Sequence, residues 1–141
     1  LTELEGNFKY RENKWTLKEL LEHLTDCEKI FNYRALRFSK NDQTELSGFD
    51  ENLYVSNGNA RNQTLELLIE EFKLIRLSSI YFFGKLSEEE LEREGISNGN
   101  LISVSSIAKH IVVHNQHHLN IIKERYLPHL VQNNKLFHTK K

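Results

Sequence analysis

The sequence predicts an all-α bundle, and three observations carry that prediction. Apolar residues recur at helical spacing over three long stretches. Capping boxes mark helix starts at Thr16 and at Ser87. No segment reads as a convincing β-strand, and there is no internal repeat or low-complexity tract.

Residues 1–14 are polar, with Phe8 and Tyr10 as their large anchors, and read as the tail of an earlier helix. Thr16 with Glu19 forms a capping box, and Trp15 with Leu20 forms a hydrophobic staple around it. The helix that follows is predicted to run to about Phe38. Leu20, Leu24, Cys27, Phe31 and Ala35 lie along one side, and His23 sits among them. Residues 39–60 hold Gly48, Gly58 and several Asn and Asp without helical period, so they read as a long crossover loop or lid. Phe49-Asp50-Glu51 within it brings carboxylates near a site or forms a solvated turn; the turn is the default. From about Arg61 to Leu86, the spacing of Leu65, Leu68, Ile69, Phe72, Ile75, Phe82 and Phe83 predicts a long core helix.

Ser87 and Glu90 open a short helix that Gly95 is expected to close. Ser97-Asn98-Gly99-Asn100 links it to the last helix, Ser103 to Tyr126, which Pro128 is expected to stop. A polar tail over about 129–141 is expected to fray. A bundle stable alone usually has a fourth long helix, either before Leu1 or supplied by a second subunit. The chain starts at Leu1 and has no methionine, where about 3 would be ordinary, so the N-terminus is expected to be incomplete.

Composition narrows the function. A chain of 141 residues is expected to be one domain, 1–141. With 19 basic and 20 acidic residues, the net charge of −1 offers no field for nucleic acid. No apolar run approaches the roughly 18 residues of a membrane span, and no stretch reads as a secretory h-region. The single cysteine, Cys27, has no internal disulfide partner. These features predict a cytoplasmic domain without nucleic-acid or membrane partners.

The chemistry concentrates in the last helix, which carries His110, His114, His117 and His118. At 3.6 residues per turn, His114 and His118 stack on one face and form a half-site for a divalent metal. Joining His23 gives three imidazoles, a set that holds Zn²⁺, Ni²⁺ or Fe²⁺ and leaves positions open for water or substrate. The spacing matches the zinc-protease pattern H-E-x-x-H, but Asn115 stands where the glutamate would be, and an amide is no general base. Cys27, one turn past His23, reads as a small buried residue. His110 reads as packing or surface, His117 points about 100° away from His118, and Asp26 and Glu28 read as exposed helical surface.

Taken together, Lys14-Trp15-Thr16-Leu17-Lys18-Glu19 with His23, Tyr33-Arg34-Ala35-Leu36-Arg37-Phe38, Gly48-Phe49-Asp50-Glu51-Asn52, and His114 to His118 with Glu124-Arg125-Tyr126-Leu127 resemble the DinB-like (YfiT-like) superfamily. The resemblance spans about residues 8–127. It implies a four-helix bundle of spatial order 1-4-2-3, whose first helix is largely absent before Leu1. It also implies a metal on His23, His114 and His118, and a homodimer. Relatives of this kind include thiol S-transferases using bacillithiol, mycothiol or glutathione, and a mycothiol-dependent maleylpyruvate isomerase. The expected function is therefore a metal-dependent thiol S-transferase or hydrolase acting on a small-molecule substrate, with a low-molecular-weight thiol as cosubstrate. The alternative is a non-catalytic dimeric bundle with a vestigial or ligand-sensing metal site.

Overall fold

The computed structural model describes residues 1–131 of the chain. Three long helices dominate it: α2 (Leu17–Ser39), α4 (Leu65–Gly84) and α6 (Val104–Ile121). Helix α2 packs against both of the others, giving the spatial order α6-α2-α4. The last three helices of a 1-4-2-3 bundle are neighbours in this same order.

The lead-in is not the tail of an earlier helix. A separate short helix, α1 (Glu3–Gly6), starts at its own capping box, with the Thr2 hydroxyl accepting from the Glu5 backbone and the Glu5 carboxylate accepting from the Thr2 N–H. Buried Lys18 ties it to the bundle by pairing with Glu3 and donating to the Gln63 carbonyl at 2.9 Å.

Helix α2 begins where the capping box places it, with Glu19 N–H donating to Thr16 Oγ1 at 3.1 Å and Thr16 N–H donating to the Glu19 carboxylate at 2.9 Å. Its apolar stripe is buried from Leu20 to Phe38. One end of the core gathers Trp15, Leu17, Leu20, Phe8 and Tyr10 around Tyr126, whose hydroxyl donates to the Trp15 carbonyl at 2.7 Å. The other end joins Cys27, Phe31, Ala35 and Phe38 to Val104, Ile107 and Ile111.

The crossover contains a helix of its own, α3 (Glu51–Asn57), capped by Asp50, whose carboxylate accepts from Leu53 N–H at 3.1 Å. A 3-10 turn over Ala60–Asn62 precedes α4, which starts at Leu65 because Thr64 caps it. Helix α4 is less a core helix than its periodicity suggests. Leu65, Leu68 and Ser79 are buried, while Leu74, Leu77, Ile80 and Tyr81 are exposed. Glu28 of α2 is 1 % exposed and holds Arg76 of α4 by two bonds of 2.8 and 3.1 Å, with Ser79 Oγ donating at 2.7 Å. The expected exposed position for Glu28 is therefore wrong, because α4 covers that side of α2.

After α5 (Glu88–Glu92) the chain forms a hairpin, β1 (Glu94–Ser97) and β2 (Asn100–Ser103), where a helix end and a linker were expected. Asn98 and Gly99 make the turn, with φ of +52° and +76°, the paired left-handed conformation that Asn-Gly favours in two-residue hairpins. Leu46 of the crossover adds to this hairpin: its N–H donates to the Ile96 carbonyl and its carbonyl accepts from Asn98 N–H, each at 2.9 Å. Gly95 is a strand residue pressed on buried Phe38, and a Cβ there would lie 2.2 Å from the ring. Gly95→Ala is expected to cost about 1–3 kcal/mol, read as a lower urea midpoint with an unchanged slope.

Helix α6 does not stop at Pro128. A π-helical turn, Ile122–Tyr126, follows it, and helix continues through Pro128 to Val131, with Leu130 buried. Proline lacks the N–H that would bond back to the Glu124 carbonyl, and the π turn, with Leu127 N–H bonded to the Ile122 carbonyl five residues back, has already left the α-helical register. Residues 129–131 are thus helix instead of frayed tail, and 132–141 lie outside the described residues. Among the described residues, no helix is long and apolar enough to cross a membrane.

Candidate metal centre

Two antiparallel stripes meet in the bundle. On α2, His23, Cys27, Phe31 and Arg34 recur at spacings of four, four and three, which keeps them on one face. On α6, Ile107, His110, His114 and His118 do the same from the other direction. Because the core packs α2 on α6 with the chains opposed, His23 meets His114 and His118.

The three rings that the sequence singles out come together. The His23 centroid lies 5.3 Å from that of His114 and 5.0 Å from that of His118, and the latter two are 4.6 Å apart. His114 Nε2 and His118 Nε2 face each other at 3.1 Å. Two nitrogens each about 2.05 Å from one ion are about 2.9 Å apart at a right angle and about 3.3 Å apart at the tetrahedral angle. The observed separation falls between these, so the pair fits one divalent ion. His118 Nδ1 is buried without a hydrogen-bond partner, and because it points away from Nε2 it cannot reach the same ion.

Electrostatics keep these rings neutral, the form that binds metal. Burial lowers the pKa of His23 to about 4, with His118 and His114 adding to the effect. Burial, then His114 and His117, lowers that of His118 to about 4, and burial lowers that of His114 as well. Unfolded histidines take up protons near pH 6.5, whereas the folded ones resist until about pH 4, so the unfolded state binds more protons in that window. Stability of the metal-free protein is therefore full above about pH 6.5 and falls as pH drops toward 4. Denaturant titrations between pH 7 and pH 4.5 are expected to show a loss of about 1 kcal/mol or more, after discounting for partial solvent contact.

Two further groups enter the site. The donor atoms of His23, Cys27, Glu51 and His114 all lie within 4.8 Å of one another. Cys27 Sγ is 3.6 Å from His23 Nδ1. Burial, with Glu51 and Asp26 nearby, pushes the Cys27 thiol up to about 12. Glu51 is the first residue of α3, in the crossover whose Leu46 pairs with the hairpin. The solvated-turn default for Phe49-Asp50-Glu51 thus misses a carboxylate at the site. The Asp50 cap just before Glu51 is the one local signal that a helix starts there.

The other candidates separate from this group. His110 and His117 are exposed; His110 stacks on His114 at 6.0 Å and His117 lies against His118 at 5.2 Å. Asn115 keeps a buried Oδ1 without a partner, and as an amide in the glutamate position of the protease pattern it brings no base to the cluster. Asp26 is half-buried with its pKa raised by burial and Glu22, and Glu28 is committed to Arg76. Beside His118 opens a cavity of about 230 Å³ whose wall includes Tyr10, Lys14, Trp15, Asn52 and Tyr126.

Comparisons with known proteins bear on the family and the fold. A family model described as the DinB superfamily matches residues 1–122. A curated protein of Oceanobacillus iheyensis, named "Putative metal-dependent hydrolase", is 26 % identical over 117 residues, covering 81 % of this chain. The match spans 66 % of that relative's length, just under two thirds. Among solved structures, YfiT from Bacillus subtilis superposes with a TM-score of 0.79 at 16 % identity, covering 88 % of this chain and 72 % of that one. It is described as "a probable metal-dependent hydrolase with an unusual four-helix bundle topology".

Proposed function

The chain belongs to the DinB superfamily, and on that premise we propose that it is a metal-dependent enzyme acting on a small molecule, with His23, His114 and His118 as the metal ligands. The observation that carries this reading is the convergence of three neutral imidazoles, two with their Nε2 atoms 3.1 Å apart. The relative's name supports a divalent metal, and the grouping of His23, Cys27, Glu51 and His114, which contains two of these three histidines, supports its place. When bound, such an ion supplies Lewis acidity and favours the deprotonated form of a water or thiol.

The chain's own residues supply the rest. Glu51 is the carboxylate positioned to accept the proton released by that water or thiol, a role that Asn115 does not fill. Buried Cys27 stays a thiol under His23, helping to fix the ring through the 3.6 Å contact. Trp15, with its ring 4.7 Å from that of His23, closes the site on the side of the 230 Å³ cavity. The choice between hydrolysis and thiol transfer lies in which nucleophile the cavity admits.

Both branches can be read in one experiment. Metal-loaded protein is incubated with activated esters and amides, and separately with bacillithiol, mycothiol or glutathione plus an aromatic electrophile. The reading predicts metal-dependent turnover in one arm, lowered about 10²–10⁴-fold in Glu51→Gln while the metal stays bound. Metal-loaded protein inert in every arm would favour the non-catalytic, ligand-sensing bundle.

We also propose a homodimer in the cytoplasm. Apolar residues exposed on α4 (Leu67, Leu74, Leu77, Ile80) and on α6 (Val112, Val113, Leu119) support a self-associating face. Sedimentation is expected to give a dimer that Leu77→Glu shifts toward monomer; a wild-type monomer at high concentration would refute this.

A further inference from the structure

One turn beyond the metal cluster, α2, the hairpin and α6 enclose a second cavity of about 210 Å³. Its walls are apolar at Phe31, Ile102 and Ile107 and polar at Arg34, Ser97, Asn98, Asn100 and His110. Phe31 connects it to the metal centre, since its ring lies 5.8 Å from that of His114. We propose that this cavity is a carboxylate-binding subsite, with Arg34 holding the anionic end of a small acid whose apolar body rests on Phe31, Ile102 and Ile107.

The argument starts from Arg34. The guanidinium is half-buried, and its pKa is lowered mainly by burial, yet no carboxylate pairs with it among the described residues. Nη2 donates to the Ser47 carbonyl at 3.1 Å, and the plane lies 5.8 Å from the Phe49 ring. A guanidinium has five N–H donors, so this accounts for only one. By contrast, Arg37 one turn on is paired with Asp42 at 2.7 Å, and Arg76 with Glu28 at 2.8 Å. Leaving a half-buried cation beside a cavity without a counter-ion has an electrostatic cost that an incoming anion would relieve.

The chemistry selects the kind of anion. One planar guanidinium matches one carboxylate through two parallel hydrogen bonds, and Arg34 is the one permanent charge on this wall, fewer than a phosphate dianion would call for. Asn98 and Asn100 add neutral amides, and three apolar side chains favour an aromatic or branched body over a highly polar one. For the proposed enzyme this names the substrate class: a small carboxylic acid held at Arg34 with its reacting group toward His114. That assignment rests on the metal-centre reading, but carboxylate binding itself can be tested without metal.

The probes are benzoate and its neutral isostere benzamide, titrated calorimetrically into full-length protein, metal-free and cobalt-loaded. The proposal predicts single-site benzoate binding in both forms, with benzamide at least about tenfold weaker. Arg34→Ala should lose at least about tenfold in benzoate affinity while its Co²⁺ spectrum stays unchanged, and Arg34→Lys should lie between the two. Equal binding of benzoate and benzamide would overturn the proposal even if the variants fold poorly. So would benzoate binding that requires cobalt and persists in Arg34→Ala, because the anion would then sit on the ion. Failure of cobalt to bind while benzoate still depends on Arg34 would remove the metal reading and leave the subsite standing.

Discussion

Replacing His23 by alanine is expected to lower the affinity for Zn²⁺ or Co²⁺ by more than about 100-fold, beyond the range typical of residues that merely support a ligand. His23 is 3 % exposed and is the only imidazole that α2 contributes to the cluster. Without it, His114 and His118 remain a two-nitrogen half-site on one helix, unable to close a coordination sphere. His118→Ala should lose a comparable amount, although His118 is half-buried and its removal disturbs the core less. Cys27→Ala should lose far less, because burial opposes the thiolate, and Glu51→Gln should change turnover more than affinity. Competition against a chromophoric chelator gives these constants, and circular dichroism separates lost ligation from lost folding. Equal affinity in wild type and His23→Ala would remove the three-histidine assignment.

Arg76→Ala is expected to be the most damaging change far from the site. It leaves the Glu28 carboxylate, 1 % exposed, with Ser79 as its only remaining partner in α4. Uncompensated buried charges of this kind cost about 3–5 kcal/mol. For a chain of this size the melting temperature should fall by roughly 10–15 °C. The double variant Arg76→Leu with Glu28→Leu should recover much of the loss, since an apolar pair of similar volume avoids desolvating a charge. A single-variant loss below about 1 kcal/mol would show that water reaches Glu28 once the arginine is gone.

What could be read from sequence tracks the length over which a signal repeats. The twenty-residue periodicities of α2 and α4, and the boxes at Thr16 and Ser87, place those helices within a few residues, because each turn repeats the same apolar face. The hairpin escaped because strands of four residues are too short to show alternation, although Asn98-Gly99 is the turn that joins them. Pro128 misled because a proline penalty assumes α-helical register, and the π turn before it changes that register. Helical spacing puts His23, His114 and His118 on inward faces, which is why their rings are legible as neighbours. Glu51 is not, since its place depends on the tertiary course of the crossover, which has no local pattern. Glu28 likewise reads as exposed from its own helix and is buried because α4 lies over it.

The most direct test is the metal content of tag-free protein after loading with Co²⁺ and gel filtration. The three-histidine centre predicts close to one ion per chain, with visible ligand-field bands that disappear in His23→Ala and persist in His110→Ala. Protein that emerges without cobalt, or that holds it equally well without His23, would contradict it.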